Sequence, residues 1–371
     1  LKPKIVVSVS NDLVTDQRVK KVCQTLHEEG YDIVLLGRKL PESLSIERPY
    51  RVSRMRLIFR KKVWFYAEFN LRLFFKLLFL KKDILVANDL DTLLPNFLIA
   101  KLFGKKLVYD SHELFTEIPE LMNRPKVRNV WVQIEKRIFP HLKNVITVNS
   151  EIARIFENKY QVPVKVIRNI SPKLTLSKPS DIWIKEVKGA RKMLIIQGSG
   201  INKDRGAEEA VQMMSYLDDV LLLVIGSGDV IPDLKVMIHE LHLESKVKII
   251  GKLPYLEMLQ YTQIADLGLS LDKGTNLNYE LSLPNKVFDY IQCSIPLMVS
   301  NRKVVAQIVH EAQIGVVFEE HDPKQMADLV QDALYDKERY QMWKTNLNFA
   351  AEKYNWENES QILKDIYKHL S

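Results

Sequence analysis

Short runs of β-branched and aliphatic residues alternate along this chain with longer stretches in which apolar residues return every three or four positions. Lys4–Val9 reads as a strand. Val19, Val22, Cys23 and Leu26 then share one stripe of a helix over Asp16–Glu29, with Thr15 as candidate N-cap and Gly30 as its stop. Tyr31–Leu36, Asp83–Ala87, Lys106–Tyr109, Asn144–Val148 and Val164–Ile167 continue the strand series, and Ser150 is placed to cap a helix to about Lys159. Asn169–Ser180 (NISPKLTLSKPS) has no periodicity and reads as a linker. Alternation then restarts with strands at Met193–Gln197, Val220–Ile225, Val247–Ile250, Asp266–Leu271, Leu297–Ser300 and Gly315–Phe318. Helices are expected between them at about Asp204–Tyr216, Pro232–Leu241, Pro254–Ile264, Asn285–Gln292 and Val304–Ala312, and the chain is helical after Asp322. Strand–helix alternation implies an α/β protein with one parallel sheet per half, joined by right-handed crossovers.

Length agrees with that division, since 371 residues exceed what one core usually supports. The expected domains are 1–170, a linker at 171–182, 183–350, and a terminal helical segment at 351–371. The two cysteines, Cys23 and Cys293, sit far apart in apolar-periodic segments and read as reduced core thiols. No signal peptide is read before the first strand, so the expected location is the cytoplasm. No stretch reaches the roughly 20 apolar residues of a membrane span.

Charge changes the picture more than composition does. Residues 1–175 hold 32 Lys and Arg against 18 Asp and Glu, a net of +14, whereas 176–371 hold 22 against 28, a net of −6; together these give the chain's +8. A basic half beside an acidic one points to an anionic partner for the first half. Nucleic acid is set aside, because no recognition motif accompanies the charge.

Parallel sheets bind ligands at the carboxyl ends of their strands, so the chemistry is sought there. Met193–Gln197 runs into Gly198-Ser199-Gly200, with Lys203 and Arg205 before the next helix. Glycines permit close approach to the backbone and the cations suit a diphosphate, although a glycine-rich turn with solvated charges has the same sequence. Gly226 and Gly228 form a second such turn, and Gly251-Lys252 ends a third strand. Ser282-Leu283-Pro284-Asn285-Lys286 opens a helix whose free N–H groups and Lys286 suit phosphate. Asp289, one turn in, is placed either to accept ribose hydroxyls or simply to favour the helix N-terminus. In the first half, Asp110-Ser111-His112-Glu113 follows a strand, with Asn11 and Asp12 after the first strand and Asp89 after the third. Asp91 is read as the N-cap of a helix beginning near Thr92. No His or Cys cluster has metal-ligand spacing.

Taken in order, SNDLVTDQRV (10–19), YDSHEL (109–114), VNSEI (148–152), VIRNI (166–170), QGSGINKDRG (197–206), VIGSGD (224–229) and SLPNKVFDYI (282–291) resemble the retaining GT-B glycosyltransferases of group 1, the family 4-like enzymes of bacterial surface glycans. The resemblance spans nearly the whole chain. It implies two Rossmann-like domains facing each other across a cleft, with nucleotide sugar on the C-terminal domain and acceptor on the N-terminal one. It also implies a last helix that crosses back to the N-terminal domain, for which Ile362, Ile366 and Leu370 offer a stripe. Arg205-Gly206 takes the place of the family's Lys-Gly that contacts the diphosphate; the preceding Arg is replaced by Ser199, with Lys203 near enough to compensate. Of the family's two glutamates eight positions apart, the ribose ligand matches Asp289; the other position holds Leu281, beside Glu280. The family's histidine near the donor sugar matches His112.

The implied catalytic set is therefore His112, Glu113, Arg205 and Lys286. Donor binding falls to Gly198, Ser199, Gly200, Lys203, Gly226, Gly228, Lys252, Glu280, Leu283, Pro284, Asn285 and Asp289, with Asn11, Asp12 and Asp89 on the acceptor side. The expected co-substrate is a UDP- or GDP-type sugar and the acceptor a glycan or a lipid-phosphate-linked one, with no cofactor and no metal. A sugar-nucleotide epimerase or an inactive GT-B binding module are the alternatives. Residues 51–82 carry ten Lys or Arg against Glu68 alone, amid aromatic and aliphatic residues. They read either as a strand and core helix with a solvated edge, or as an anionic-membrane contact, which the resemblance favours.

Overall fold

The computed structural model describes residues 2–14, 16–41, 43–174 and 176–370. It divides into two compact units, one of Leu1–Asn169 with Glu359–Ser371 and one of Ile170–Asn358. The first holds a seven-stranded sheet: β1 (Lys4–Asp12), β2 (Asp32–Lys39), β3 (Arg51–Arg56), β4 (Ile84–Asn88), β5 (Lys106–Ser111), β6 (Val145–Thr147) and β7 (Val164–Val166). Their order is β3-β2-β1-β4-β5-β6-β7, and the pairings are parallel. The second unit holds β8 (Lys192–Gly198), β9 (Val220–Gly226), β10 (Val247–Ile250), β11 (Leu267–Ser270), β12 (Leu297–Ser300) and β13 (Gly315–Phe318), ordered β10-β9-β8-β11-β12-β13 and also parallel. These are two α/β units, each built on one parallel sheet.

Helices cover both faces of each sheet, so the central strands read as continuous apolar runs rather than alternating ones. All of β4 is buried, and so is all but the ends of β9 and β8. The order of strands reverses between β1 and β4 in the first unit, and between β8 and β11 in the second. At such a point the flanking loops leave in opposite directions and open a crevice at the carboxyl ends, which fixes where a ligand can enter.

Several expected details differ. β3 is the strand of the strand-and-helix reading of 51–82; it stands outside the apolar series because RVSRMR has basic residues where a buried strand would be apolar, and it lies at the sheet edge. β1 extends through Ser10, Asn11 and Asp12, with an irregular register after Ser8. Thr15 lies outside the described residues, and Asp16 caps the helix Gln17–Glu28 by accepting from the Val19 N–H. Asn149, not Ser150, caps Ser150–Tyr160. Ser180 caps a helix, Asp181–Lys188, that begins inside the segment read as linker. The terminal helix is Trp356–His369. Its buried stripe is Leu363, Tyr367 and Leu370 rather than Ile362, Ile366 and Leu370, because Ile362 faces solvent. Tyr367 packs edge-on against Tyr31, and Glu359 accepts the Arg168 N–H at 2.7 Å, both within the first unit.

Candidate functional site

In the first unit the loops flanking the reversal point, after β1 and β4, meet the loop after β5. Arg18, from the helix Gln17–Glu28, is 3% exposed and reaches under them. Its Nη2 and Nε donate to the two oxygens of Asp110 at 2.6 and 3.1 Å, and its Nη1 to the Ile167 carbonyl at 2.9 Å. The guanidinium outweighs the desolvation of Asp110 and, with His112, holds that carboxyl far below its usual range. Asp89 stands at a left-handed φ of 58° before the helix Leu90–Phe103, and its carboxylate binds His112 twice. The His112 N–H donates at 2.8 Å and Nδ1 lies 3.2 Å away. Nε2 is 3.2 Å from Asn88 Oδ1 and 3.6 Å from Asp110 Oδ2. Burial works to lower the His112 pKa, but Asp89 and Asp110 prevail and raise it to about 9. His112 is thus an imidazolium at neutral pH, both of its nitrogens taken by the protein, and it presents a positive charge rather than a free base.

Other nominated residues here are used differently. The Asp12 carboxylate accepts from the Val14 N–H and Ser43 Oγ, and Asn11 is exposed, 3.4 Å from Asp16. Glu113 is half-buried beside His112, its carbonyl accepting from Ser111. Asp91 is not the N-cap: Asp89 occupies that position and Asp91 lies inside the first turn, buried against the Ser10 hydroxyl. Burial and the Asp89 charge push its pKa up to about 7.

In the second unit the corresponding crevice is bounded by the loop after β8 and the loop after β11. The two glycine turns lock together: Ser227 N–H donates to the Gly198 carbonyl and Ile201 N–H to the Ser227 carbonyl. At Gly226 (φ +139°) a Cβ would lie 1.7 Å from the Gly198 carbonyl oxygen, so this glycine is demanded by backbone packing. Gly228 is bound in the same way to Ile201, whereas Gly200 faces open space. The pair thus separates into one turn that builds the crevice and one that is open to a ligand.

Arg205 is bracketed by the second loop. Its Nη1 pairs with Asp272 Oδ2 at 2.8 Å, its guanidinium lies 4.2 Å above the Tyr279 ring, and its Nε is buried with no partner. Asp272 Oδ1 is likewise buried without a partner. Glu280, nominated for the donor, is paired with Arg302 at 2.6 Å. Lys286, in the first turn of Asn285–Gln292, is half-buried and makes no hydrogen bond or ion pair among the described residues. Burial and the neighbouring Arg205 lower its pKa, with Asp272 opposing. Pro284 occupies the N-cap position and provides no side-chain cap, with Leu283 half-buried and Asn285 exposed beside it. Lys203, Ser199 and Lys252 are exposed at the ends of β8 and β10. The two arginines are thus each matched by a carboxylate, and Lys286 leaves the crevice a surplus positive charge, the condition for holding an anion.

Asp289, matched to the ribose ligand, is engaged by the protein itself. It is 6% exposed, Oδ1 accepts from Ser171 Oγ and from Tyr255 OH at 2.7 Å, and Oδ2 accepts from Gln197 Nε2 at 3.0 Å. Thr262 continues the network to Gln197 at 2.6 Å. An aspartate is one methylene shorter than the glutamate it was matched to, and its carboxylate is taken by Ser171, Tyr255 and Gln197. Asp289→Ala should therefore cost about 3 kcal/mol of stability, because it strands buried donors. Urea unfolding checks this; unchanged stability with weaker nucleotide binding would restore the ribose role.

Sequence reasoning missed Arg18, Asp110's pairing, Asp272, Tyr279 and Arg302. Asp272 and Arg302 follow β11 and β12 directly, so the strand-end rule already pointed at both. Arg18 had no such signal, since a lone arginine in a helix reads as solvated. No group of three or more His, Cys, Asp or Glu able to hold a metal is found among the described residues.

Residues 180–348 match the family model described as glycosyl transferases group 1, and residues 16–170 match glycosyltransferase family 4. No curated protein sequence matches. Among solved structures, sucrose-phosphate synthase from Thermosynechococcus elongatus is similar at 16% identity and a TM-score of 0.83, covering 100% of this chain and 99% of that one. An Anabaena protein, HepE, solved with UDP-glucose, is similar at 14% identity and 0.76, over 99% and 100%. WaaG, described as a glycosyltransferase of lipopolysaccharide biosynthesis, is similar at 13% identity and 0.72, over 98% and 99%.

Proposed function

We propose, for a chain that belongs to the group 1 glycosyltransferases of GT-B fold, that it moves a sugar from a nucleoside-diphosphate donor to a glycan or lipid-linked acceptor with retention of configuration. One observation carries the donor assignment. Lys286 is a half-buried cation that forms no ion pair among the described residues, beside an arginine whose Nε has no partner among them, at the point where the second sheet reverses direction. A diphosphate supplies the missing charge and acceptors. That HepE was solved with UDP-glucose supports a UDP-type donor.

In this reading the bond from the anomeric carbon to the diphosphate oxygen breaks as the acceptor oxygen attacks from the same face. The acceptor proton passes to the departing phosphate. Charge grows on the diphosphate, and Arg205 and Lys286 meet it, the task a divalent metal performs elsewhere. His112 holds the loops after β4 and β5 in place and contributes a fixed positive charge beside Glu113. The first unit, with Asn11, Asp12 and Asp89 at its reversal point, takes the acceptor. The basic segment 51–82 places the protein at an anionic membrane face on the cytoplasmic side; no described helix is long and apolar enough to cross it.

The test is nucleotide release from a panel of UDP-, GDP- and ADP-sugars, with and without a glycan or lipid-linked acceptor. Release that rises with acceptor supports transfer. Interconversion of the sugar without acceptor makes it an epimerase, and binding without turnover leaves a binding module.

A further inference from the structure

We propose that the groove between β3 and the helix Lys62–Phe79 seats the phosphate of an anionic phospholipid, its chain lying against Phe79, and that the outward face of this helix rests on the bilayer supplying it. This rests on the membrane reading above and names the ligand that the surface selects.

The helix is apolar on two opposite faces. Phe65, Phe69, Leu73 and Leu77, four residues apart, are buried in the core of the first unit. Half a turn round, Ala67, Leu71, Phe75 and Phe79 form a second row four apart, and all are exposed, Phe79 at 83%. Trp64 extends this face, and Leu102 and Phe103 are exposed on the adjoining helix. Scattered exposed apolar residues need no cause, but a continuous row opposite a fully buried one does. A helix apolar all round is stable when both faces are covered.

Charge says what covers it. A cavity of about 620 Å³ opens between the helix and β3, and Arg51, Arg54, Arg72 and Lys76 line it with Met55 and Phe79. Among the described residues no carboxylate lines it. Arg72 is paired with Glu68, Arg54 donates to the Leu44 carbonyl and Lys76 to Ser53 Oγ, while Arg51 makes no hydrogen bond or ion pair among the described residues. Glu68, the segment's one acid before Asp83, is spent on the N–H groups of Ile58 and Phe59 and on Arg72. Burial, and after it the nearby Arg51, lower the Lys76 pKa. Arg56, Arg60, Lys61, Lys62 and Lys81 of the same segment are exposed, and cations near an anionic surface strengthen its attraction. Lys82 is not among them: it is buried and caps the helix by donating to the Leu77, Leu78 and Leu80 carbonyls. Cations beside an exposed apolar row call for a ligand that is anionic at one end and hydrocarbon at the other. Arg51 begins β3 and Phe79 ends the helix, so this end of the groove lies toward the amino ends of the strands, away from His112. It is therefore a seat for a membrane lipid rather than for the acceptor.

The experiment titrates the full-length protein with dioctanoyl phosphatidylglycerol below its micelle concentration by calorimetry, and separately with inorganic phosphate. It uses wild type, Arg51→Gln and Phe79→Ser, both exposed positions whose thermal melts should match wild type. One-to-one lipid binding, weakened at least tenfold in each variant, supports the proposal. Equal binding of inorganic phosphate, indifferent to Phe79→Ser, reassigns the groove to a free anion and overturns it. Lipid binding unchanged in both variants, or absent, overturns the groove while leaving the membrane reading standing if the wild type still floats with phosphatidylglycerol vesicles. Failure to float at low salt overturns the membrane reading itself.

Discussion

Arg205→Ala should lower sugar transfer about 10²- to 10³-fold in protein that is still folded, the loss typical of removing one preorganised donor to a developing oxyanion. Arg205 is held for such a task. Asp272 fixes one end of the guanidinium, the Tyr279 ring supports its face, and the buried Nε points to no protein acceptor. The change also releases Asp272, 2% exposed, from its cation, so a control is needed. Arg205→Lys keeps the charge but loses the fork and the stacking, and should recover part of the rate. If Arg205 acts on leaving-group charge, kcat falls more than donor KM rises, since the interaction grows only as the bond breaks. Wild-type turnover in Arg205→Ala, or a loss confined to KM, would remove it from the chemical step.

The sheets and their alternation were legible because a parallel strand buried on both faces must be apolar throughout: all six strands of the second unit fall where such runs lie. β3 was legible only as one of two readings of 51–82, because an edge strand has solvent on one side and tolerates RVSRMR. Three N-caps were misplaced by one or two residues, at Thr15, Ser150 and Asp91: Asp16 and Asn149 accept the capping N–H instead, and Asp89 holds the third position with its carboxylate turned to His112. Capping chemistry identifies residue types, and backbone dihedrals decide among neighbours. The crevices were legible through one rule, that loops after strands hold the ligand. What a strand-end rule does not show is which side chains the protein itself consumes. Asp289, Glu280, Asp12 and His112 all lie where expected, yet each is engaged by a partner distant in sequence, from Ser171 to Arg302. Lys286 and Gly200 are conspicuous for the opposite reason, since nothing in the described protein occupies them.

Arg18→Met should destabilise the protein by about 3–5 kcal/mol, the cost of leaving one member of a buried ion pair without the other. The side chains of Arg18 and Asp110 are only 2% and 4% exposed, and no water can replace the guanidinium without opening the unit. Arg18 also donates to the Ile167 carbonyl, so its loss loosens the chain just after β7 as well. The sign with pH follows from the pairing. Asp110 titrates in the folded protein well below its unfolded value, so its contribution is complete above the usual carboxylate range and is lost as pH falls through that range toward the folded value. Wild-type stability should therefore drop on acidification more steeply than that of the variant, which has already lost the pair. Arg18→Met combined with Asp110→Asn should recover part of the loss, because the stranded charge is gone; the two changes are in contact and should not add. Urea unfolding of wild type, Arg18→Met, Asp110→Asn and the double variant between pH 2 and 7 decides it. A cost below about 1 kcal/mol for Arg18→Met, of the size of an exposed pair, would show that this contact does not hold the loops bearing His112 and Asp89 together.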